Sequence, residues 1–175
     1  KLKERMNIPV FHDDQHGTAI SSLSAEIGAR RVVKKDIRTA KVVLNGAGAA
    51  GTAIGRLLVR IGAENLTVVD IHGALYEGMP GLNRIQEDLA RNTNKQKLQG
   101  NLADFAKNAD VLLGVSAPNV FTKEIIASMN QDSIVFALAN PVPETSYDDA
   151  KAAGARVAGT GRSDAPNQVN NVTVF

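Results

Sequence analysis

A glycine-rich run between two apolar runs has the residue types and spacing that suit phosphate binding. Gly46, Gly48 and Gly51 form a G-x-G-x-x-G pattern that begins one residue after the apolar run at residues 42–44. The first glycine allows a tight turn, the second lets the backbone approach a pyrophosphate, and the third lets the following helix pack close to the strand. Free N–H groups at the start of that helix favour a phosphate charge. The pattern predicts dinucleotide binding by these glycines and the alanines between them, Ala47, Ala49 and Ala50.

An acid at the end of the next apolar run strengthens this prediction. Asp70 follows Gly51 by 70 − 51 = 19 residues, and an acid about 20 residues after the last glycine commonly binds a ribose 2′-hydroxyl. The same carboxylate would repel a 2′-phosphate, and residues 71–75 contain no Arg or Lys, so the sequence favours NAD, with NADP as the alternative. The other interpretation is a structural strand–helix–strand unit in which Asp70 is a solvated strand-end residue.

A polar cluster, HDDQHGT at residues 12–18, precedes a second helical pattern. Apolar residues at positions 20, 23 and 27 predict a helix from near Gly17 to near Gly28 or Arg31. The cluster therefore lies where a loop enters a helix.

The carboxylates of this cluster have two interpretations. Asp13 or Asp14 could be the N-cap of the helix, where an acceptor and a negative charge are both favourable. Alternatively, a carboxylate there could bind Mg²⁺ or Mn²⁺, which prefer oxygen ligands. A zinc site at His12 and His16 would need further ligands that the sequence does not offer. The spacing alone favours the N-cap.

The elements that position these residues are short apolar strands alternating with helical patterns. We predict strands at residues 42–44, 66–69, 111–115, 133–138 and 157–159, and helices at 54–61, 82–89, 102–107, 122–129 and 147–153. Residues 74–76 form a weak candidate for a further short strand. This alternation indicates a parallel sheet buried on both faces. The predicted fold class is α/β, a Rossmann-like doubly wound, mostly parallel sheet with helices on both faces.

Ligands of such sheets bind beyond the carboxyl ends of the strands. The polar residues at those ends are Asp70, Ser116, Asn140 and the group at residues 160–162. Ser116 and Asn140 are therefore candidates for ligand contact, although an Asn before a Pro is also a common turn residue. Residues 167–171, NQVNN, are predicted to be a loop.

Composition argues against several other classes of protein. The chain has 175 residues, 43% of them hydrophobic, which suits one domain with a core. Its net charge of +2 and its 4% aromatic content do not suggest nucleic-acid binding, which usually adds aromatic stacking. There is no cysteine for a disulfide or a thiolate metal site. No apolar run approaches the ~18 residues of a membrane span and no secretory signal is present, so we expect a cytoplasmic protein without a membrane partner.

Four segments together resemble malic enzymes, in particular the smaller bacterial type. They are IPVFHDDQHGTAI at residues 8–20, GAGAAG at 46–51, ALANP at 137–141 and TGRSDAPNQVNNV at 160–172. The resemblance runs through the whole chain in order, and its first and last segments are long and specific. It implies the cofactor-binding domain of an enzyme that oxidises malate with NAD or NADP and decarboxylates the bound oxaloacetate to pyruvate.

The resemblance also implies a division of the chain and a metal site. Residues 1–30 would be a linker and helix with part of the metal site, and residues 31–175 the dinucleotide-binding domain. Asp14 resembles a ligand of Mg²⁺ or Mn²⁺, and Asp13 a neighbour that holds metal-site or base residues by hydrogen bonds. The family's other two metal carboxylates, its catalytic lysine and its catalytic tyrosine would lie upstream of Lys1. Because the chain lacks an initiator Met and stops within an apolar run, we interpret it as a fragment of a longer protein.

Further residues resemble the family's ligand contacts. Thr18 resembles a cofactor-contacting threonine. Asn140 and one of Asn170 and Asn171 resemble the amides that contact the cofactor or the malate carboxylate. We therefore expect Asp13, Asn140 and Asn171 in the catalytic site, and cofactor contacts from Thr18, Ser116, Asn140 and Asn170.

Three questions stay open at this point. The fragment could be an NAD-binding module that is inactive by itself. The longer protein could instead be a malolactic enzyme or an oxaloacetate decarboxylase, since nothing in these residues distinguishes the reactions. Its oligomeric state is expected to be a homodimer or a higher homo-oligomer.

Overall fold

A sheet of six strands is the centre of the computed structural model, which describes residue 2 and residues 4–174. Its order is β3-β2-β1-β4-β5-β6, and every neighbouring pair is parallel except β2 and β3. The numbering matches the 3-2-1-4-5-6 order of doubly wound dinucleotide-binding sheets, except that β3 is a short antiparallel strand that follows β2 directly. The predicted fold class is therefore confirmed. The strands are β1 Lys41–Asn45, β2 Asn65–Asp70, β3 Gly73–Ala74, β4 Val111–Gly114, β5 Ile134–Ala137 and β6 Val157–Thr160.

Helices cover both faces of the sheet because successive strand residues point to opposite faces. Val42 and Leu44 of β1 belong to one buried cluster, together with Ile54 of the helix Ala49–Arg60. Val43 belongs to the other cluster, together with Ile126 of the helix Lys123–Ala127. The helices are α1 Asp13–Val33, α2 Ala49–Arg60, α3 Arg84–Asn92, α4 Leu102–Ala106, α5 Lys123–Ala127 and α6 Tyr147–Ala152, followed by the 3₁₀ helix η1 Asn171–Val174.

Helix α1 is longer at both ends than the sequence pattern predicts. It begins at Asp13 rather than near Gly17, and its N-cap is His12, whose side chain makes no capping hydrogen bond. The interpretation of Asp13 or Asp14 as the N-cap is therefore wrong, although both carboxylates lie in the first turn, where negative charge is favourable. At the other end the helix passes through Gly28 and stops at Val33, before Lys34 with φ 56°.

The weak strand candidate at residues 74–76 corresponds to β3, which is shorter and begins one residue earlier. Gly73 and Ala74 pair antiparallel with β2, and Gly73 takes a φ of +105°, which favours glycine. Among the described residues, no helix is long and apolar enough to cross a membrane.

Candidate functional site

The glycine turn between β1 and α2 has the geometry that its sequence predicts. Gly46 has a φ of +119°, in the region that favours glycine, and a Cβ on Gly51 would collide with the carbonyl oxygen of Gly46. Gly48, the N-cap of α2, is exposed and has open space where a Cβ would lie. A ligand can therefore approach the backbone at Gly48, in front of the N-terminus of a 12-residue helix.

A cavity of about 610 Å³ lies in front of this turn, at the carboxyl ends of β1, β2 and β4. It brings together five of the predicted cofactor-binding residues, namely Gly46, Ala47, Gly48, Asp70 and Ser116. Ala49, Ala50 and Gly51 form the first turn of α2 beside it. The volume falls in the range of small-molecule and cofactor sites.

Asp70 lies at the rim of this cavity with its side chain turned back toward its own loop. Its Oδ1 accepts a hydrogen bond from the backbone N–H of His72 at 2.8 Å. Ile71 beside it lines the same cavity and is 93% exposed. This geometry orients the carboxylate and is compatible with both interpretations of Asp70.

A second cluster joins the two ends of the chain. The Asn171 side chain, at the start of η1, donates a hydrogen bond to Oδ2 of Asp13, 158 residues away in sequence. Gly17 lies between them, since a Cβ there would meet Oδ1 of Asp13 and the Cβ of Asn171. Oδ1 of Asp13 is buried without a hydrogen-bond partner, whereas Asp14 is exposed. The half-buried Thr18 follows one turn later on α1.

Two more of the predicted amides lie around Gly161, beyond the carboxyl ends of β5 and β6. Asn170 donates to the carbonyl oxygen of Gly161 at 3.1 Å. A Cβ on Gly161 would lie 3.3 Å from Oδ1 of Asn140. Because Asn170 and Asn171 are consecutive, this group is continuous with the Asp13–Asn171 pair. The structure thus sorts the predicted residues into the dinucleotide cavity and an asparagine cluster that reaches the start of α1.

The described residues contain only some of the side chains that a Mg²⁺ or Mn²⁺ site would need. Within residue 2 and residues 4–174, no group of three or more His, Cys, Asp or Glu side chains is placed to hold a metal ion. The buried, unpartnered Oδ1 of Asp13 and the exposed carboxylate of Asp14 are oxygen donors of the kind that Mg²⁺ and Mn²⁺ accept.

Three further residues contact the predicted site residues although the sequence analysis did not predict them. Gln86 of α3 donates to the carbonyl oxygen of Ala47 at 3.2 Å, and Asn45 donates to Oγ of Ser116 at 2.7 Å. Glu144 accepts hydrogen bonds from Ser116 and Ala139 behind the cavity. The spacing Asn83-x-x-Gln86 is the signature of a capping box, which the structure contains, so Gln86 left a local signal. Glu144 left no such signal, because one of its partners, Ser116, lies 28 residues away.

The doubly wound sheet, the glycine turn and the acid at the end of β2 together define a dinucleotide-binding domain of the Rossmann type. The family profile described as "Malic enzyme, NAD binding domain" matches residues 15–175. The chain therefore belongs to the malic enzyme NAD-binding domain family.

Named relatives and a solved structure agree with this assignment. A bifunctional malic/malolactic enzyme of Bacillus subtilis is 50% identical over all of this chain, which spans 43% of that enzyme. An NADP-dependent malic enzyme of Haemophilus influenzae is 46% identical over the whole chain, which spans 23% of it. The crystal structure of an NAD-dependent malic enzyme from Thermotoga maritima matches with a TM-score of 0.92 and 46% identity, covering 98% of this chain and 46% of that one. The chain spans less than half the length of each.

Proposed function

We propose that this chain supplies the NAD-binding part of a longer malic enzyme, which oxidises malate and decarboxylates the product to pyruvate. The observation that carries the proposal is the cavity at the carboxyl edge of the sheet, which brings together the glycine turn, Asp70 and Ser116. The resemblance of residues 8–20 and 160–172 to malic enzymes supports the malate chemistry.

Each candidate residue has a distinct task in this proposal. The N–H groups at the start of α2 bind the pyrophosphate, and Asp70 accepts a hydrogen bond from the adenosine ribose. Asn140 and Asn171 orient the malate carboxylate and the nicotinamide end of the cofactor. Asn171 is itself held by Asp13. Thr18 and Asn170 complete the cofactor contacts.

Asp14 is the residue that would hold Mg²⁺ or Mn²⁺, with Asp13 beside it. Its exposed position in the first turn of α1 leaves the carboxylate accessible for a ligand. A bound cation would supply Lewis-acid stabilisation of negative charge, and a bound dinucleotide would accept the hydride. The remaining ligands and the general acid and base would come from the part of the enzyme outside this chain.

A malolactic activity is the second candidate, and the name of the Bacillus subtilis relative favours it. An oxaloacetate decarboxylase is a third. Product analysis of the full-length protein, given malate or oxaloacetate with NAD and Mn²⁺, separates the three. We expect pyruvate, CO₂ and NADH from malate. Lactate as the sole product from malate, or turnover of oxaloacetate alone, would replace the proposed reaction.

Dinucleotide binding is tested directly on the 175-residue chain by calorimetric titration with NAD, NADH, NADP and NADPH. We expect one site per chain and tighter binding of NAD than of NADP. Failure of all four dinucleotides to bind a folded chain would overturn the proposed function.

A further inference from the structure

A fully buried carboxylate lies behind the dinucleotide cavity. Glu144, on the segment between β5 and α6, is 0% exposed. Glutamate is almost never fully buried unless it is paired with other groups. The hydrogen-bond partners of Glu144 therefore indicate its role.

The two oxygens of Glu144 bind different strand ends. Oε1 accepts from the backbone N–H of Ser116 at 2.7 Å and from its Oγ–H at 3.1 Å. Oε2 accepts from the backbone N–H of Ala139 at 3.0 Å. Only a carboxylate can serve both amides, because glutamine has one acceptor oxygen and would turn its NH₂ group toward one of them.

This connection continues into the cavity. Oγ of Ser116, which lines the cavity, also accepts a hydrogen bond from Nδ2 of Asn45 at 2.7 Å. Asn45 is the last residue of β1, directly before the glycine turn, and Ala139 directly precedes Asn140. Glu144 therefore fixes the ends of β4 and β5 relative to each other, and through Ser116 relative to β1.

The surrounding backbone is shaped to admit this side chain. A Cβ on Gly114, at the end of β4, would lie 2.5 Å from Cδ of Glu144, so the glycine makes room for the carboxylate. The carbonyl oxygen of Glu144 accepts from the N–H of Phe121 at 3.0 Å, which holds the loop that follows Ser116.

We propose that Glu144 is a positioning residue for dinucleotide binding, because it holds Ser116 and Asn140 in place without touching the ligand. This inference rests on the proposed dinucleotide-binding function. It predicts a loss of affinity at a site that Glu144 does not line, beyond any general loss of stability.

The test compares two fully buried carboxylates in the 175-residue chain. Glu26 on α1 is also 0% exposed and pairs with Arg30, so Glu26→Gln is the matched control for Glu144→Gln. We expect Glu144→Gln to weaken NAD binding about tenfold, because Ser116 or Asn140 is then no longer held in its binding position, and the loss of a group that orients a ligand contact has effects of this order. Glu26→Gln should leave the Kd unchanged. Calorimetry well below each variant's unfolding midpoint measures both.

Equal Kd values for Glu144→Gln and the wild type, or an equal loss in Glu26→Gln, would overturn the inference while the proposed function stands. A wild-type chain that binds no dinucleotide would overturn both.

Should Glu144→Gln fail to fold, Ser116→Ala and Glu144→Asp test the same connection. Each is expected to weaken NAD binding about threefold, and their effects should not add in the double variant. Additive effects would overturn the inference.

Discussion

Asp70 is the residue that we propose makes the chain prefer NAD to NADP. Its hydrogen bond with the N–H of His72 keeps it at the cavity rim, where a 2′-phosphate would meet its charge. We predict that Asp70→Ser weakens NAD binding about tenfold, by loss of a charge-assisted hydrogen bond, and strengthens NADP binding. Titration of each dinucleotide into the 175-residue chain measures both. The exposed Glu64→Gln is the control, and it should change neither Kd.

A wild type that prefers NADP, together with an Asp70→Ser variant that hardly changes the ratio, would contradict this assignment. Asp70 would then be a strand-end residue that only shapes its own turn. One of the named relatives is an NADP-dependent malic enzyme, so a preference for NADP is a realistic outcome of this titration.

Asp14 gives the second prediction at this scale. In the full-length protein we expect Asp14→Asn to lower turnover ~10²-fold or more, because it removes an anionic ligand of the proposed cation, which would stabilise the negative charge that develops on the substrate. NAD binding should persist, since the glycine turn and Asp70 are untouched. Steady-state kinetics with Mn²⁺ and a separate NAD titration measure the two effects. Near-normal turnover would count against the metal role, and loss of NAD binding would show that Asp14 supports the fold instead.

The residues with local signatures are those that sequence reasoning could find. The glycines and Asp70 form a pattern within 30 residues, and the structure places Gly46, Gly48 and Asp70 around one cavity. The hydrogen bond between Asp13 and Asn171 has no such signature, because it joins residues 158 positions apart. The role of Glu144 depends on its hydrogen bonds with Ser116, 28 residues away, so its own segment does not predict it.

In the turn from β1 into α2, two glycines are required for different reasons: Gly51 for packing and Gly48 for ligand binding. A Cβ at position 51 would strike the backbone of Gly46, whereas one at position 48 meets nothing within 4 Å. We therefore predict that Gly51→Ala destabilises the chain by about 1–3 kcal/mol, as overpacking does, and also weakens NAD binding. Gly48→Ala should keep the wild-type stability and weaken only NAD binding. Thermal unfolding and NAD titration separate the two, and equal stabilities of the two variants would contradict the steric argument.

A carboxylate before β4 connects the segment after helix α1 to the sheet. Asp110 accepts hydrogen bonds from Nζ of Lys35 at 2.7 Å, from the N–H of Lys41 at 2.8 Å and from Nδ2 of Asn130 at 3.0 Å. Burial raises the pKa of Asp110, but these hydrogen bonds together outweigh it and lower the pKa below its ordinary value. The folded state therefore favours the ionised form.

This shift gives a pH-dependent prediction. A lowered folded pKa contributes stability above the unfolded pKa, and that contribution is lost as the pH falls through the folded pKa. We expect Asp110→Asn to cost about 1–3 kcal/mol at pH 7, and its difference from the wild type to shrink below about pH 4. Asp132→Asn, which removes an exposed ion pair with Arg156, is the control and should change little. Urea unfolding across pH measures this, and a pH-independent difference would contradict it.

Element types follow from the periodicity of the sequence, but element ends do not. All five predicted strands are present, because fully apolar runs can be buried only between two helical layers. The sequence pattern places the start of α1 four residues too late, since Asp13 and Asp14 suit the first turn of a helix as well as its N-cap. Strand β3 consists of Gly73 and Ala74, too short a run to produce an alternation pattern.

At the scale of the whole molecule, the two buried clusters make the sheet and its helices one folded unit, and α1 shares the first of them. Ala19 and Ala29 of α1 lie in the same cluster as Val42 and Leu44 of β1. The boundary near residue 30 stays a prediction. The N-terminal end of α1, which carries Asp13 and Asp14, contacts η1 near the other end of the chain. A metal held there would therefore be anchored to the dinucleotide-binding fold while taking its other ligands from elsewhere.

This arrangement predicts how the 175-residue chain behaves by itself. Mg²⁺ and Mn²⁺ take about six oxygen ligands and dehydrate reluctantly. One oxygen of Asp13 already accepts a hydrogen bond from Asn171. Asp14 and Asp13 alone therefore cannot hold either ion firmly. We expect calorimetry to show NAD binding but only weak Mn²⁺ binding, and no malate-dependent absorbance of NADH at any Mn²⁺ concentration. The full-length protein, assayed in parallel, should produce NADH. Malate-dependent NADH formation by the short chain would show that its own residues complete the active site.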